Sequence, residues 1–205
     1  MPRTTYHHGA LRDALMAACL RLLESEGLAA VSLRRVAREA GVSTGAPYHH
    51  FPDRSALLSA LSVQGFQLLA GELAAARDTA PDPLAALTAL ASAYVGFSRD
   101  HPAHFRLMFR PELSQPEKHP DATVAGDAAF AVLTETIAEC VAAGALPERG
   151  AEVLAVTFWA LAHGLASLWL DGQLAKRSDQ LGTSADQLVA EILRTFTALA
   201  TPAEG

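Results

Sequence analysis

The chain is poor in cysteine, lysine and aromatic residues, and it has no excess of positive charge. Its two cysteines, Cys19 and Cys140, stand far apart and form no CxxC, which argues against a disulfide framework or a thiolate zinc site. Both fall at apolar positions of helical patterns. They read as buried free thiols, suited to a reducing cytoplasm. Lys118 and Lys176 are the two lysines against 14 arginines, a bias of GC-rich coding that carries no functional weight. Also missing are a glycine-rich phosphate loop, HExxH, GxSxG, and a carboxylate pair with a supporting base. Catalysis, a cofactor and a bound metal are therefore not expected. His101 and His104 have the nearest thing to metal spacing, but Pro102 between them makes a short turn and no third ligand is evident. No convincing strand alternation occurs, and helical periodicity runs through the whole chain.

What is present is a large apolar content: half of the 205 residues are hydrophobic, ample for a core. The run 153–170 holds no Asp, Glu, Lys or Arg and reaches the length of a membrane span. His163 near its centre would need a partner in lipid, and Glu152 and Asp171 flank it without a cationic anchor. The run therefore reads as a central buried helix of an all-α domain, with no membrane partner. The start of the chain reads as lacking a signal peptide, because Tyr6, His7 and His8 lead into an amphipathic stretch bearing Arg12 and Asp13.

The net charge of −6 is unusual for a nucleic-acid binder. It is unevenly spread. Residues 1–60 hold seven arginines and five acids, +2, leaving nine basic and seventeen acidic residues, −8, for the rest. A cationic head on an acidic body fits a protein that touches phosphate at one end.

The segment 33–51, LRRVAREAGVSTGAPYHHF, accounts for that head. Ser32 is a good N-cap for a helix over 33–40, and Gly41 supplies a left-handed stop. Ala37 is small enough for a close crossing, and Val42 can turn inward. Ser43 is placed to cap a second helix over 44–50. Two helices joined by a three-residue turn containing glycine form a DNA-reading helix-turn-helix. Further helices are predicted over 9–26, 54–78 (capped by Asp53), 84–100, a short stretch to 109, 121–143, 148–171 and 184–200, about nine in all. The fold class is all-α: an N-terminal three-helix, homeodomain-like helix-turn-helix domain, 1–53; a connecting helix, 54–80; and a C-terminal helical domain for effector binding and dimerisation, 81–205. Pro81-Asp82-Pro83 is the best candidate joint.

The eighth and ninth predicted helices, 148–171 and 184–200, carry more apolar surface than one core needs. Leu154, Phe158, Leu161, Leu165 and Leu168 form a heptad-like seam, and Leu188, Ile192, Phe196 and Leu199 form a stripe. A homodimer pairing both helices with their copies in a four-helix bundle is expected, the alternative being that both stripes face the monomer's own core.

The order and spacing of LLESEG, VSLRRVAREAGVS and YHHFPDRSALL over about residues 9–57 resemble the TetR (tetracycline-repressor-like) family of bacterial transcription regulators. Trp159-Ala160-Leu161-Ala162-His163-Gly164 is similar to the family's subgroup with a tryptophan–histidine–glycine C-terminal domain. The resemblance implies a cytoplasmic all-α homodimer that binds a double-stranded DNA operator and, in most members, a repressor released by a small effector. It also implies that Tyr48 and His50 contact phosphates and that Phe51 plugs the small core.

Read on their own, Thr44, Gly45 and Ala46 approach base edges at the head of the recognition helix. Thr44 alone can hydrogen-bond there, Gly45 and Ala46 allow close approach, and Ala46 can touch a thymine methyl. Direct readout is poor in donors, so shape readout or help from Arg35 and Arg3 is expected. Pro47 departs from the family's usual apolar residue. Ser32, Arg35, Ser43, His49 and Arg54 complete the DNA-binding set, with a solvated helix end as the alternative for His49 and His50. Phe97, Phe105, Met108, Phe130, Trp159, His163 and Trp169 are the effector-site candidates, with plain core as the alternative. An apolar or aromatic ligand would stack there, and His163 would give one polar contact. A rival reading is a helical interaction or ligand-binding module that does not bind DNA.

Overall fold

The computed structural model describes residues 8–200 of the chain. Among these, all regular structure is helical. Ten α-helices form: α1 (His8–Ser25), α2 (Leu33–Glu39), α3 (Arg54–Asp78), α4 (Pro83–Asp100), α5 (Pro102–Met108), α6 (Pro111–Ser114), α7 (Asp121–Ala142), α8 (Ala151–Leu170), α9 (Gln173–Leu181) and α10 (Ala185–Ala200). Two single 3-10 turns, Leu28–Ala30 and Ala46–His49, complete the set.

Packing divides the chain into two compact units. One comprises residues 1–65 and 103–124, the other 66–102 and 125–205. This division differs from boundaries at 53 and 80. Pro81-Asp82-Pro83 joins α3 to α4 inside the second unit, where Asp82 caps α4 by accepting the Ala85 N–H at 2.8 Å. The segment 103–124, placed by sequence in the C-terminal domain, packs in the first unit because Leu107 inserts into that unit's core.

That core is built from one face of α1 (Leu15, Cys19, Leu22), from Val31, Leu33 and Val36, from Phe51, and from Leu57, Leu58 and Leu61 of α3. Ser32 caps α2 as its sequence predicts, its Oγ accepting the Arg35 N–H at 3.2 Å. Gly41 takes φ +70°, where a side chain would be strained, and lets the Val42 N–H reach back to the Ala37 carbonyl at 2.9 Å. Ala37 is fully buried at the crossing.

In the second unit α4 is central. It buries Leu87, Leu90, Tyr94 and Phe97 and packs against α8 and α10. The helix α9 has no counterpart in the sequence prediction. Its start and stop are Gly172 and Gly182, both left-handed, and it buries Leu174 and Ser178. Its residues are mostly polar, and the sequence reading leaves the stretch between 171 and 184 unassigned. Both α3 and α8 are long and apolar enough to cross a membrane by length and composition, with mean hydropathies of 1.2 and 1.7. Core helices share that property, and α8 packs on α4, but only 28% of its apolar stretch is buried, so it is a half-exposed helix rather than the central buried one the sequence predicts, because α4 covers one face alone.

Both thiols are buried and unbonded. Burial pushes Cys19 up to about 12 and Cys140 up to about 11, so each is a protonated core residue.

Candidate nucleic-acid interface and ligand site

The recognition element is shorter and tighter than the helix predicted over 44–50. It is a single 3-10 turn, Ala46–His49, with no side-chain cap from Ser43. The reason is Pro47. An α-helix there would need a Pro47 N–H to meet the Ser43 carbonyl, and the ring would crowd that carbonyl. The Ser43 oxygen instead accepts the Ala46 N–H at 3.0 Å, Tyr48 N–H bonds to Gly45, and His50 N–H bonds to Pro47. Pro47 is itself buried, and Phe51, 2% exposed, anchors the turn from below.

Anchored this way, the turn points its polar residues outward. Ser43, Thr44, Gly45, Tyr48 and His49 are exposed, and Ala46 and His50 are half-buried. Gly45 has an ordinary negative φ, and a Cβ built on it would meet nothing within 4 Å. Its lack of a side chain therefore serves no packing need of the monomer.

The basic residues around the turn are unequal. The Arg35 Nη2 donates to Glu26 at 2.5 Å, which raises the guanidinium pKa further. Arg21 pairs with Glu39 at 3.1 Å. Arg54 is half-buried; its Nη2 donates to the Leu28 carbonyl at 2.9 Å, and its Nε is buried without a partner. Its guanidinium is thus turned inward, against the expectation of a phosphate contact. Arg34 and Arg38 are exposed and lack an ion pair among the described residues. Arg3 lies outside the described residues.

The seven effector candidates do not share one unit. Phe105 and Met108 belong to the first, where Phe105 packs on Phe109 at 5.3 Å. Phe97 is wholly buried core of the second. Trp169 lies under the Arg99 guanidinium, 5.9 Å away. Three are brought together: Trp159 meets the Phe130 ring edge-on at 6.0 Å and the His163 ring at 6.0 Å. Tyr94, which sequence reasoning missed, completes this group from α4. Its hydroxyl lies 2.9 Å from His163 Nδ1 and accepts the Trp159 indole N–H at 3.4 Å. Burial pushes the Tyr94 phenol well above its ordinary range and pulls His163 below its own. Position Tyr94 continues the buried i, i+3, i+4 stripe of α4, the signal that could have flagged it.

His101 and His104 part company: His101 faces Glu72 at 3.2 Å, and His104 faces Gln64 at 3.2 Å. Among the described residues no cluster of three potential metal ligands exists.

A family model for the tetracyclin repressor-like C-terminal domain matches residues 87–196, and one for bacterial regulatory proteins of the tetR family matches residues 15–61. The chain belongs to the tetR family. As a tetR-family protein it is a transcriptional regulator with an N-terminal helix-turn-helix and a C-terminal helical domain. The HTH-type transcriptional repressor KstR2 of Mycolicibacterium smegmatis is 30% identical over 89 residues, which spans 43% of this chain and 43% of that one. A solved Rhodococcus sp. RHA1 protein of unknown function is 35% identical and superposes with a TM-score of 0.80, covering 98% of this tetR-family chain and 100% of the other. A second Rhodococcus RHA1 structure, a bacterial regulatory protein in the tetR family, shares the fold at a TM-score of 0.70 with 19% identity, over 94% and 98% of the two chains.

Proposed function

We propose that the protein is a cytoplasmic, homodimeric repressor that binds an operator in double-stranded DNA and is released by a small apolar or aromatic effector. The observation that carries the DNA-binding part is the exposed turn 43–49, held rigidly by buried Pro47 and Phe51 and bare of side chain at Gly45. In this reading Thr44, Gly45 and Ala46 approach base edges, and Ser32, Ser43, Tyr48, His49 and His50 contact the backbone. Arg35 must exchange Glu26 for phosphate to join them. The repressor part draws support from KstR2, which is named a transcriptional repressor.

Dimerisation through α8 and α10 draws support from their outer faces. Phe158 and Leu165 of the predicted seam are buried in the monomer, Phe158 against Phe196 at 5.0 Å. Val153, Val156 and Leu168 of α8 and Leu199 of α10 remain exposed, Val153 at 69% and Leu199 at 79%. Burial of such a face requires a partner, and a second copy brings a matching one. The effector reading draws support from Phe130, Trp159, Tyr94 and His163, where Trp159 is 38% exposed above a buried hydroxyl.

The test is Gly45→Leu assayed by gel shift on the promoter of the protein's own or adjacent operon. The chain should melt close to wild type, because the position is exposed and a Cβ there meets nothing within 4 Å, while specific binding falls at least tenfold. Undiminished specific binding by Gly45→Leu would remove the turn from the interface. The absence of any wild-type shift would instead favour an interaction module, a reading that the scarcity of base donors at 44–46 keeps open.

A further inference from the structure

We propose that Arg12 of α1 supplies the phosphate contact beside the recognition turn, and that Arg54 is a positioning residue that staples the α1–α2 connection to the head of α3. The proposal rests on the DNA-binding reading above and assigns its cations.

Six arginines lie between residues 10 and 65, and all carry the same formal charge. Their surroundings separate them. Arg21 and Arg35 are held by Glu39 and Glu26, so each must break an ion pair before meeting phosphate. Arg54 donates to the Leu28 carbonyl with its Nε buried, so exposing it to DNA would break that hydrogen bond. Arg12, Arg34 and Arg38 have no carboxylate within ion-pair reach among the described residues.

Of these three, Arg12 has its head group placed. The guanidinium carbon sits 5.5 Å from the centre of the Phe51 ring. Phe51 lies two residues past the recognition turn, and its N–H bonds to the Pro47 carbonyl at 2.8 Å. The same ring has the His50 imidazole 6.4 Å away. Arg12 is therefore fixed at the C-terminal end of the turn, at an exposed position on α1.

A ring holds a cation without neutralising it. The guanidinium carbon sits over Phe51, and no carboxylate among the described residues pairs with it, so its N–H groups can serve a bidentate phosphate contact. A carboxylate partner would have cancelled the charge instead. Pre-placement also removes part of the side-chain ordering cost on binding. Arg54, by contrast, links Leu28 of the 3-10 turn Leu28–Ala30 to the first residue of α3. That turn leads through Val31 into the Ser32 cap, so Arg54 sets where α2 begins.

The experiment is a salt titration of full-length protein on a fluorescent non-specific duplex, with melting of each variant alongside. Each phosphate contact contributes about 0.9 to the slope of log K against log salt, so losing one per protomer removes about 1.8 from a dimer. Arg12→Gln should shallow the slope by that amount at unchanged Tm, and Arg12→Lys should keep the slope. Arg54→Gln should lower Tm and weaken binding with the slope unchanged. A wild-type slope for Arg12→Gln, or a shallower slope at unchanged Tm for Arg54→Gln, overturns the assignment while leaving DNA binding intact. Wild-type protein that fails to bind duplex even at low salt overturns both this proposal and the reading on which it rests.

Discussion

The Tyr94 hydroxyl on α4 lies 2.9 Å from Nδ1 of His163 on α8, and the Trp159 indole N–H, one turn earlier on α8, reaches the same oxygen at 3.4 Å. All three groups are satisfied when Trp159 donates to the phenol oxygen and the phenol proton goes to Nδ1, which leaves the His163 proton on Nε2. A polar chain thus crosses the α4–α8 contact inside an otherwise apolar layer. Tyr94→Phe keeps the shape and removes the oxygen. It should cost about 1 kcal/mol by removing two hydrogen bonds across the α4–α8 contact, read as a lower denaturant midpoint at unchanged m.

His163 also carries a pH prediction. Burial lowers its folded pKa, so the unfolded chain binds the proton more readily. Stability from this group is fully present above the unfolded value near 6.5 and is lost as pH falls below it through the folded value. Tm should drop as pH falls below about 6.5. Subtracting the profile of His163→Gln isolates the contribution, and parallel profiles for the two proteins would contradict it.

Two glycines of α3 should respond to alanine with opposite signs. At Gly65 a Cβ would lie 2.5 Å from Met108 Sδ, 2.9 Å from Met108 Cγ and 3.2 Å from His104 Cβ. The side chain of Met108 and the backbone of α5 must both shift, at about 1–3 kcal/mol, which outweighs a helix gain of about 0.5–1 kcal/mol. Gly71 is exposed and its Cβ would meet nothing. Gly71→Ala should stabilise by that helix gain, and Gly65→Ala should destabilise. Thermal melts of the two variants give the signs directly.

The proposed dimer predicts a mass in solution of twice the chain's 21.6 kDa. Val156→Glu together with Leu168→Glu places two charges on the exposed face of α8 and should give monomers at micromolar concentration. Light scattering after size exclusion reports the mass. A wild-type monomer refutes the interface, and a double variant that stays dimeric moves it elsewhere.

Much of the first unit is legible without coordinates. Ser32, Gly41 and Asp53 punctuate the chain through local backbone chemistry, and the structure uses each one: Ser32 and Asp53 accept backbone N–H groups at the helix heads, and Gly41 turns left-handed. The apolar periodicity of α1 names its core residues for the same reason, since helix geometry alone puts Leu15, Cys19 and Leu22 on one side. The second unit is read less well. Its helix α9 presents mostly polar residues, and only its neighbours α8 and α10 give Leu174 something to cover.

Sequence alone determined the helical class, the caps at Ser32 and Asp53, the stop at Gly41, the helix-turn-helix and the place of the recognition turn, because each depends on residues within a few positions of one another; the cap predicted at Ser43 does not form. Tertiary structure decided what depends on distant neighbours. It turned Arg54 inward to Leu28, seated Arg12 on Phe51, and joined Tyr94 to His163 across 69 positions. It also assigned Phe105 and Met108 to a different unit from the aromatics of α8. A side chain's charge and polarity are written in the chain, but the partner that cancels, holds or exposes them arrives only when remote segments pack.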